Sequence, residues 1–339
     1  MRTLPITSSF ILIMSIPNLT NTVHHAVYPA IDPASPRLSA SGKTVVISGG
    51  AGGIGFAIAQ GFAIAGAARV IIIARRQEAL DEAVTSLNAE NAAAGRATET
   101  WPYLLDIRNS AAAEQVFCDI RARMNKDRGD TEDAIDANIL ITNAAILTQG
   151  KLSVEFRADV YREAFDTNVV GNMNLVRAFL APEIPSIPFA SFDGFTKDIS
   201  SATAPKTRKT IIDVSSSSAY FVLPGQGLYA SSKLAFTRIM QALQAEVDLV
   251  EGQPIRIHHF NPGTILTPGV AKVVDSKNAK LFEFDELSLP QGFAVWLASP
   301  EAEFLKGRFV MSNWDVEELI AMKERYASDR TFGTITLKQ

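Results

Sequence analysis

From Lys43 onward, short apolar runs alternate with longer segments in which apolar residues recur every three or four positions. The runs are "TVVIS" (44–48), "RVIIIA" (69–74), "TWPYLLD" (100–106), "ANILITNAA" (137–145), "KTIIDVSS" (209–216) and "IRIHHFNPG" (255–263). Val- and Ile-rich runs without polar alternation predict strands covered on both faces. Between them, "IGFAIAQGFAIAGA" (54–67), "QEALDEAVTSLNAENAAA" (77–94), "NSAAAEQVFCDIRARMNK" (109–126), "VEFRADVYREAFDTNVVGNMNLVRAFLA" (154–181) and "YASSKLAFTRIMQALQAEVDLV" (229–250) carry helical spacing. Strand and helix in turn predict an α/β protein, a doubly wound parallel sheet forming a single domain over 42–314.

The remainder breaks this rhythm. Residues 1–41 read as a partly disordered arm, irregular and Pro/Ser-rich from Asn18 to Ser41. Its apolar patch "SSFILIMSI" is too short to cross a bilayer. A cytoplasmic protein is the expectation; targeting by residues 1–20 is the alternative, weakened by a lone Arg2 and no A-x-A-like cleavage site. Met14 is a further candidate start, which would make residues 1–13 an extension, and the sequon at Asn18 matters only for a secreted chain. Pro182 to Lys209 reads as a surface insertion with a basic end, and Pro268 to Leu289 as a mobile lid carrying Leu281, Phe282 and Phe284. In the tail, 315–339, "DVEELIAMKERYASDR" predicts a helix packed on the outside.

Composition narrows the function classes. A chain with 47% hydrophobic and 20% charged residues has material for a large core. Net charge of −4 gives no reason to expect nucleic acid. One cysteine, Cys118, excludes an internal disulfide and a cysteine-built metal site; its apolar-periodic surroundings predict a buried thiol. The histidines form two pairs, His24-His25 and His258-His259, without metal-site spacing, so no metal is assigned.

"SGGAGGIG", Ser48 to Gly55, ends a strand and opens a helix. In that context glycines let the backbone approach a pyrophosphate, and the helix's free N–H groups stabilise its charge. Two registers fit: Gly50, Gly52 and Gly55 as G-x-G-x-x-G, or Gly49, Gly53 and Gly55, with Ile54 between, as T-G-x-x-x-G-x-G with Ser48 for Thr. Arg75 stands twenty residues past Gly55, beside Arg76, where an acidic residue would bind a ribose 2′-hydroxyl. Arginine there accommodates a 2′-phosphate, so NADP(H) is expected over NAD(H). Asp106 reads either as an adenine contact or as a helix N-cap.

Further motifs follow in order: "TNAA" (142–145), "FDTNVVG" with Asn168, "IIDVSSSSA" with Ser216 thirteen residues before Tyr229, "YASSK" (229–233), and "NPGTILT" (261–267). With the glycine segment they resemble the short-chain dehydrogenase/reductase family, from residue 44 to about 310. Ser48 for Thr, and Thr142 and Ala145 in the family's N-N-A-G segment, are departures; Ala145 narrows the space beside the cofactor. The resemblance implies a Rossmann fold and a tetrad of Asn168, Ser216, Tyr229 and Lys233. It also implies that Lys233 holds the nicotinamide ribose, that Asn168 anchors a water relaying protons to Lys233, and that Pro262, Gly263, Ile265 and Thr267 wrap the nicotinamide amide. Asn143 is expected to bond neighbouring backbone at the sheet edge, and Ser215 or Ser217 are alternatives to Ser216.

The chemistry of these residue types agrees. A phenol in water keeps its proton to pH ~10, and an ammonium group one helical turn away stabilises the phenolate. Tyr229 would then give a proton during carbonyl reduction and take one during alcohol oxidation, with Ser216 hydrogen-bonding the substrate oxygen. The expected enzyme is an NADP(H)-dependent oxidoreductase for a small hydrophobic ketone or secondary alcohol. The arm's "HHAVYPAIDP" and the tail's "NWDVEEL" resemble a fungal branch of the family associated with secondary metabolism. The resemblance further implies a homodimer or homotetramer built through the two long helices. A non-catalytic cofactor sensor on the same fold is the alternative, and a dehydrating or epimerising relative has the same motifs.

Overall fold

In the computed structural model, which describes residues 18–126, 134–148, 150–181, 208–222, 224–249, 255–271 and 283–335, the apolar runs form one parallel sheet. Strands β1 (Thr44–Ser48), β2 (Arg69–Ala74), β3 (Glu99–Leu104), β4 (Ile139–Thr142), β5 (Lys209–Val214), β6 (Ile255–Asn261) and β7 (Phe309–Met311) lie in the order β3-β2-β1-β4-β5-β6-β7. Chain direction across the sheet reverses between β1 and β4, so a crevice opens there beyond the strands' carboxyl ends. β7 was not among the predicted strands, because three residues are too few to display a period.

In chain order the helices are α1 (Gly53–Ile64), α2 (Gln77–Ala93), α3 (Ser110–Asn125), α4 (Ala158–Phe165), α5 (Asn172–Leu180), α6 (Gly227–Val247), the short α7 (Pro268–Ala271), α8 (Ser288–Ala298), α9 (Val316–Ala321) and α10 (Lys323–Ser328). Alternate residues of one strand enter different cores. Val45, Ile47, Val70 and Ile72 pack with Phe62 of α1 and Phe293 of α8, whereas Val46, Ile71 and Ile73 pack with Phe117 of α3 and Phe236 of α6. Both faces are therefore covered, which explains strands without polar alternation.

Several expectations are corrected. The helix predicted over 154–181 starts at Ala158 and is interrupted by a π-turn, Asp166–Gly171. Asn168 bonds outward from this turn, and Gly171 sits so close to Ile107 that a Cβ would lie 2.6 Å from its Cγ1. Cys118 is exposed, because Val116, Phe117 and Ile120 supply the buried face of α3. Lys209, assigned to the surface insertion, is fully buried: its Nζ donates to Asp136 at 2.6 Å and to the Phe179 carbonyl at the end of α5 at 2.7 Å. The tail is not peripheral either, since Val316, Leu319 and Tyr326 are buried in the core. Residues 182–207, Leu281 and Phe282 lie outside the described residues, as does the apolar patch of residues 8–16. No helix among the described residues is long and apolar enough to cross a membrane.

The arm differs most from expectation. From Asn18 it is an ordered strap across the foot of α8. Val23 bridges Trp314, His24 exchanges hydrogen bonds with Asn313, and the Asn21 and Thr22 amides donate to Glu318. Ile31 is wholly buried beneath α8. Neither residue 41 nor residue 314 marks a break in the packing.

His258 in β6 has a consequence for acid stability. It is fully buried, neither ring nitrogen has a well-formed hydrogen bond, and a weak approach to the Leu305 backbone is all that favours its charged form. Burial first, then the neighbouring Arg256 and His259, hold its pKa well below 6.5. The unfolded chain takes up this proton near pH 6.5 while the folded chain refuses it, so stability falls as pH drops below that value, by up to about 1.4 kcal/mol per pH unit. Melting temperatures measured between about pH 7.5 and 5.5 should decline, and His258→Val should flatten that decline.

Candidate active site

The glycine segment makes a tight turn between β1 and α1. Gly49 (φ 66°) and Gly53 (φ 51°) occupy the left-handed region. At Gly55 a Cβ would drive into the Gly49 carbonyl and lie 2.5 Å from Asn143 Nδ2. By contrast, a Cβ on Gly52 would meet nothing within 4 Å. The register is therefore Gly49, Gly53 and Gly55. Ser48 Oγ accepts from the Asn143 and Ala144 amides, both at 3.0 Å, while Asn143 Nδ2 donates to the Ser48 and Gly49 carbonyls at 3.0 and 3.2 Å. This reciprocal pair ties the ends of β1 and β4 together and shapes the turn, as expected of Asn143.

Beside the turn lies a cleft of about 630 Å³. Gly49, Gly53 and Ile54 line it, with Arg75, Arg76, Leu105 and Ile107. Asn143, Ala144, Ala145 and Leu147 line it from the β4 side. Ser216, Tyr229, Pro262, Gly263, Ile265, Thr267 and Phe284 complete the lining, with Thr267 so close to Gly53 that a Cβ there would lie 3.3 Å from its Cγ2. Ser48 and Gly55 support the turn from behind. Asp106 is absent from the lining: Arg108 grips its carboxylate, which lowers its pKa, with nearby Arg75 adding a smaller effect. Nor is Asp106 the N-cap of α3; that is Asn109, which accepts from Ala112 N at 3.0 Å.

Tyr229 and Lys233 sit one turn apart near the start of α6. Tyr229 is partly exposed to the cleft, whereas Lys233 is buried, its Nζ donating to the Val214 carbonyl at 2.7 Å at the end of β5. Ser215 is committed elsewhere, hydrogen-bonded to Thr237 at 2.7 Å. Ser216 Oγ accepts from the Ser218 amide and hydroxyl at 3.2 and 2.9 Å, which leaves its own O–H to donate into the cleft. Ser217 also lines the cleft; its amide donates to Asn261 Oδ1 at 2.9 Å.

Asn168 does not reach the cleft. Its side chain brackets Ile146, accepting from the amide at 2.8 Å and donating to the carbonyl at 3.0 Å, and its second N–H goes to Ser232 Oγ at 2.9 Å. Ser232 in turn donates to the Tyr229 carbonyl at 2.8 Å. Both side-chain N–H groups are thus used, and Asn168 links the π-turn, the loop after β4 and the first turn of α6. Sequence reasoning missed Ser232, although it lies inside "YASSK". It also missed Asp285, whose carboxylate holds the Gly263–Thr264 turn from behind.

A glycine turn at the carboxyl edge of a doubly wound sheet, with a helix N-terminus behind it, defines a dinucleotide-binding fold. The chain belongs to the short chain dehydrogenase family, whose profile matches residues 43–185 and 193–278. Members are NAD(P)-dependent oxidoreductases, and this chain is an oxidoreductase of that class. The short chain dehydrogenase/reductase nsrO of Aspergillus novofumigatus is 31% identical over 322 residues, covering 95% of this chain and 97% of the relative. AacuD of Aspergillus aculeatus, a short chain dehydrogenase/reductase, is 30% identical over 321 residues, 94% and 96% of the two chains. Among solved structures, a 3-oxoacyl-[acyl-carrier protein] reductase from Brucella melitensis superposes with a TM-score of 0.63 at 24% identity, over 86% of this chain and 98% of the other. The L-sorbose reductase of Gluconobacter frateurii, complexed with NADPH and L-sorbose, gives 0.61 at 22% identity, over 81% and 96%. At such identities the likeness is one of fold.

Proposed function

We propose that this protein is an NADP(H)-preferring oxidoreductase that interconverts a ketone and a secondary alcohol on a hydrophobic small molecule, a secondary metabolite. The observation carrying this reading is the sharing of one cleft by the glycine turn, Arg75, Ser216 and Tyr229, with the Lys233 ammonium fixed beneath it. The residues fit the cofactor: positive-φ glycines leave space for a pyrophosphate, and two arginines rather than a carboxylate follow β2. The bound cofactor supplies or accepts the hydride. In reduction, the Ser216 O–H holds the substrate oxygen and Tyr229 gives it a proton, while Lys233 stabilises the phenolate left behind. Oxidation runs the same transfers backwards. Lys233 spends one N–H on Val214, leaving two for the phenolate and the ribose hydroxyls.

The apolar side chains of Leu147 and Phe284 in the cleft wall support a hydrophobic substrate. The relatives from Aspergillus support the fungal setting. Exposed Val170, Leu234 and Ile239, in the π-turn and on α6, suit self-association into a homodimer or homotetramer.

The direct test is a screen of carbonyl compounds for NADPH oxidation, repeated with NADH. Arg75→Ala should raise KM for NADPH about 10- to 100-fold while changing KM for NADH less than about threefold, since it removes a charge-assisted contact to a 2′-phosphate that NADH lacks. A native preference for NADH would overturn the role given to Arg75.

A further inference from the structure

We propose that the N-terminal strap latches the Gly263–Thr264 turn in the cleft wall, and that His25 is the residue that closes the latch. The inference rests on the oxidoreductase reading for the identity of the ligand, and on the following geometry for the device itself.

Asp285 is its centre. The side chain is 3% exposed, and every oxygen has a donor. Oδ2 accepts from the Thr264 amide at 2.5 Å, and any Cβ on Gly263 (φ 93°) would lie 2.5 Å from that same oxygen. Oδ1 accepts from Asn313 Nδ2 at 2.9 Å and from His25 at 2.6 Å. A carboxylate only accepts, so His25 Nδ1 carries the hydrogen. Backbone bonds complete the joint: Asp285 N donates to the Thr264 carbonyl at 2.9 Å, and Glu286 N to the His25 carbonyl at 2.8 Å. One buried carboxylate therefore fixes the 263–264 turn, the chain leading into α8 and the strap.

The cleft face of this joint is functional surface. Gly263 and Thr264 line the cleft, as does Phe284, the residue before Asp285. Of the groups holding the carboxylate, His25 alone comes from the strap, and its side chain is 48% exposed. Removing it leaves Oδ1 with Asn313 as its sole donor. Asp285 is then held by one donor fewer, and the 263–264 turn is fixed less firmly in the orientation in which it meets the ligand. The strap itself stays docked, because His24 pairs with Asp315 at 2.8 Å and Glu318 holds the Asn21 and Thr22 amides. Latch and strap are thus separable by mutation.

The experiment titrates the full-length protein with NADPH by fluorescence and follows thermal unfolding in parallel. His25→Ala should weaken NADPH binding about fivefold, as expected for a half-exposed charged hydrogen bond. His25→Asn, whose Nδ2 takes the place of the ring Nδ1, should restore affinity to within about twofold of native. Glu318→Gln, which loosens a different anchor of the strap, should lower the melting temperature without changing affinity. If the Ala variant does not fold, His25→Gln takes its place, since it keeps the bulk while moving the donor away from Asp285. Native affinity in the Ala variant, no rescue by Asn, or equal weakening by Glu318→Gln would each overturn the latch. Native protein that binds neither NADPH nor NADH would instead overturn the oxidoreductase reading.

Discussion

Tyr229→Phe should reduce turnover by about 10³-fold or more, because it removes the proton donor and acceptor while keeping the ring. NADPH affinity should stay within about threefold of native, since the phenyl ring still fills its place in the cleft wall and Lys233 keeps its bond to Val214. Steady-state kinetics on any substrate found in the carbonyl screen, with a fluorescence titration of NADPH, separates the two quantities. A variant that turns over at a near-native rate would remove Tyr229 from the chemistry. Loss of affinity in step with turnover would mean that the hydroxyl serves binding instead.

Gly55→Ala should be the most damaging small substitution in the cofactor turn. The added methyl meets the Gly49 carbonyl and the Asn143 amide, both parts of the network that shapes the turn, and neither is the loose end of a flexible side chain. Forcing backbone apart at such a site costs about 2–4 kcal/mol. At this chain length that lowers the melting temperature by roughly 3–6 °C. Gly52→Ala is the matched control: its φ of 174° is extended backbone and a Cβ there has open space, so stability should be unchanged. Differential scanning calorimetry compares the pair; since Gly55 belongs to both registers, an equal loss of stability at Gly52 would refute the choice of Gly49, Gly53 and Gly55.

The sheet was legible in the sequence because its strands are buried on both faces, and burial on both faces writes itself as an unbroken apolar run. The reactive residues were legible for a different reason: Tyr229 and Lys233 lie on one helix, and the glycine segment is a single turn. What stayed hidden depends on partners far away in the chain. Asp285 meets His25 across 260 positions, and Glu318 meets Asn21 across 297, so no local pattern could distinguish the strap from a loose arm. Asp106 had two readings because a carboxylate after a strand fits both; Asn109 takes the cap role, and Arg108 pairs with the carboxylate. The choice between glycine registers also needed backbone angles, which six closely spaced small residues do not reveal. Cys118 shows the limit of periodicity itself, for it lies one position past the Val116-Phe117 pair that faces the core.

The π-turn at Asp166–Gly171 has an implication for how this scaffold tolerates change in length. A π-turn accommodates one residue more than a regular helical turn, and each residue advances an α-helix by about 100°. Deleting a single residue there would let α4 and α5 merge into one smooth cylinder. The flanking segments would keep their facing, but the widened turn that lets Asn168 reach Ile146 and Ser232 would be lost. The irregularity thus absorbs one residue locally, so that a change of one in length is felt at Asn168 rather than along the whole helix.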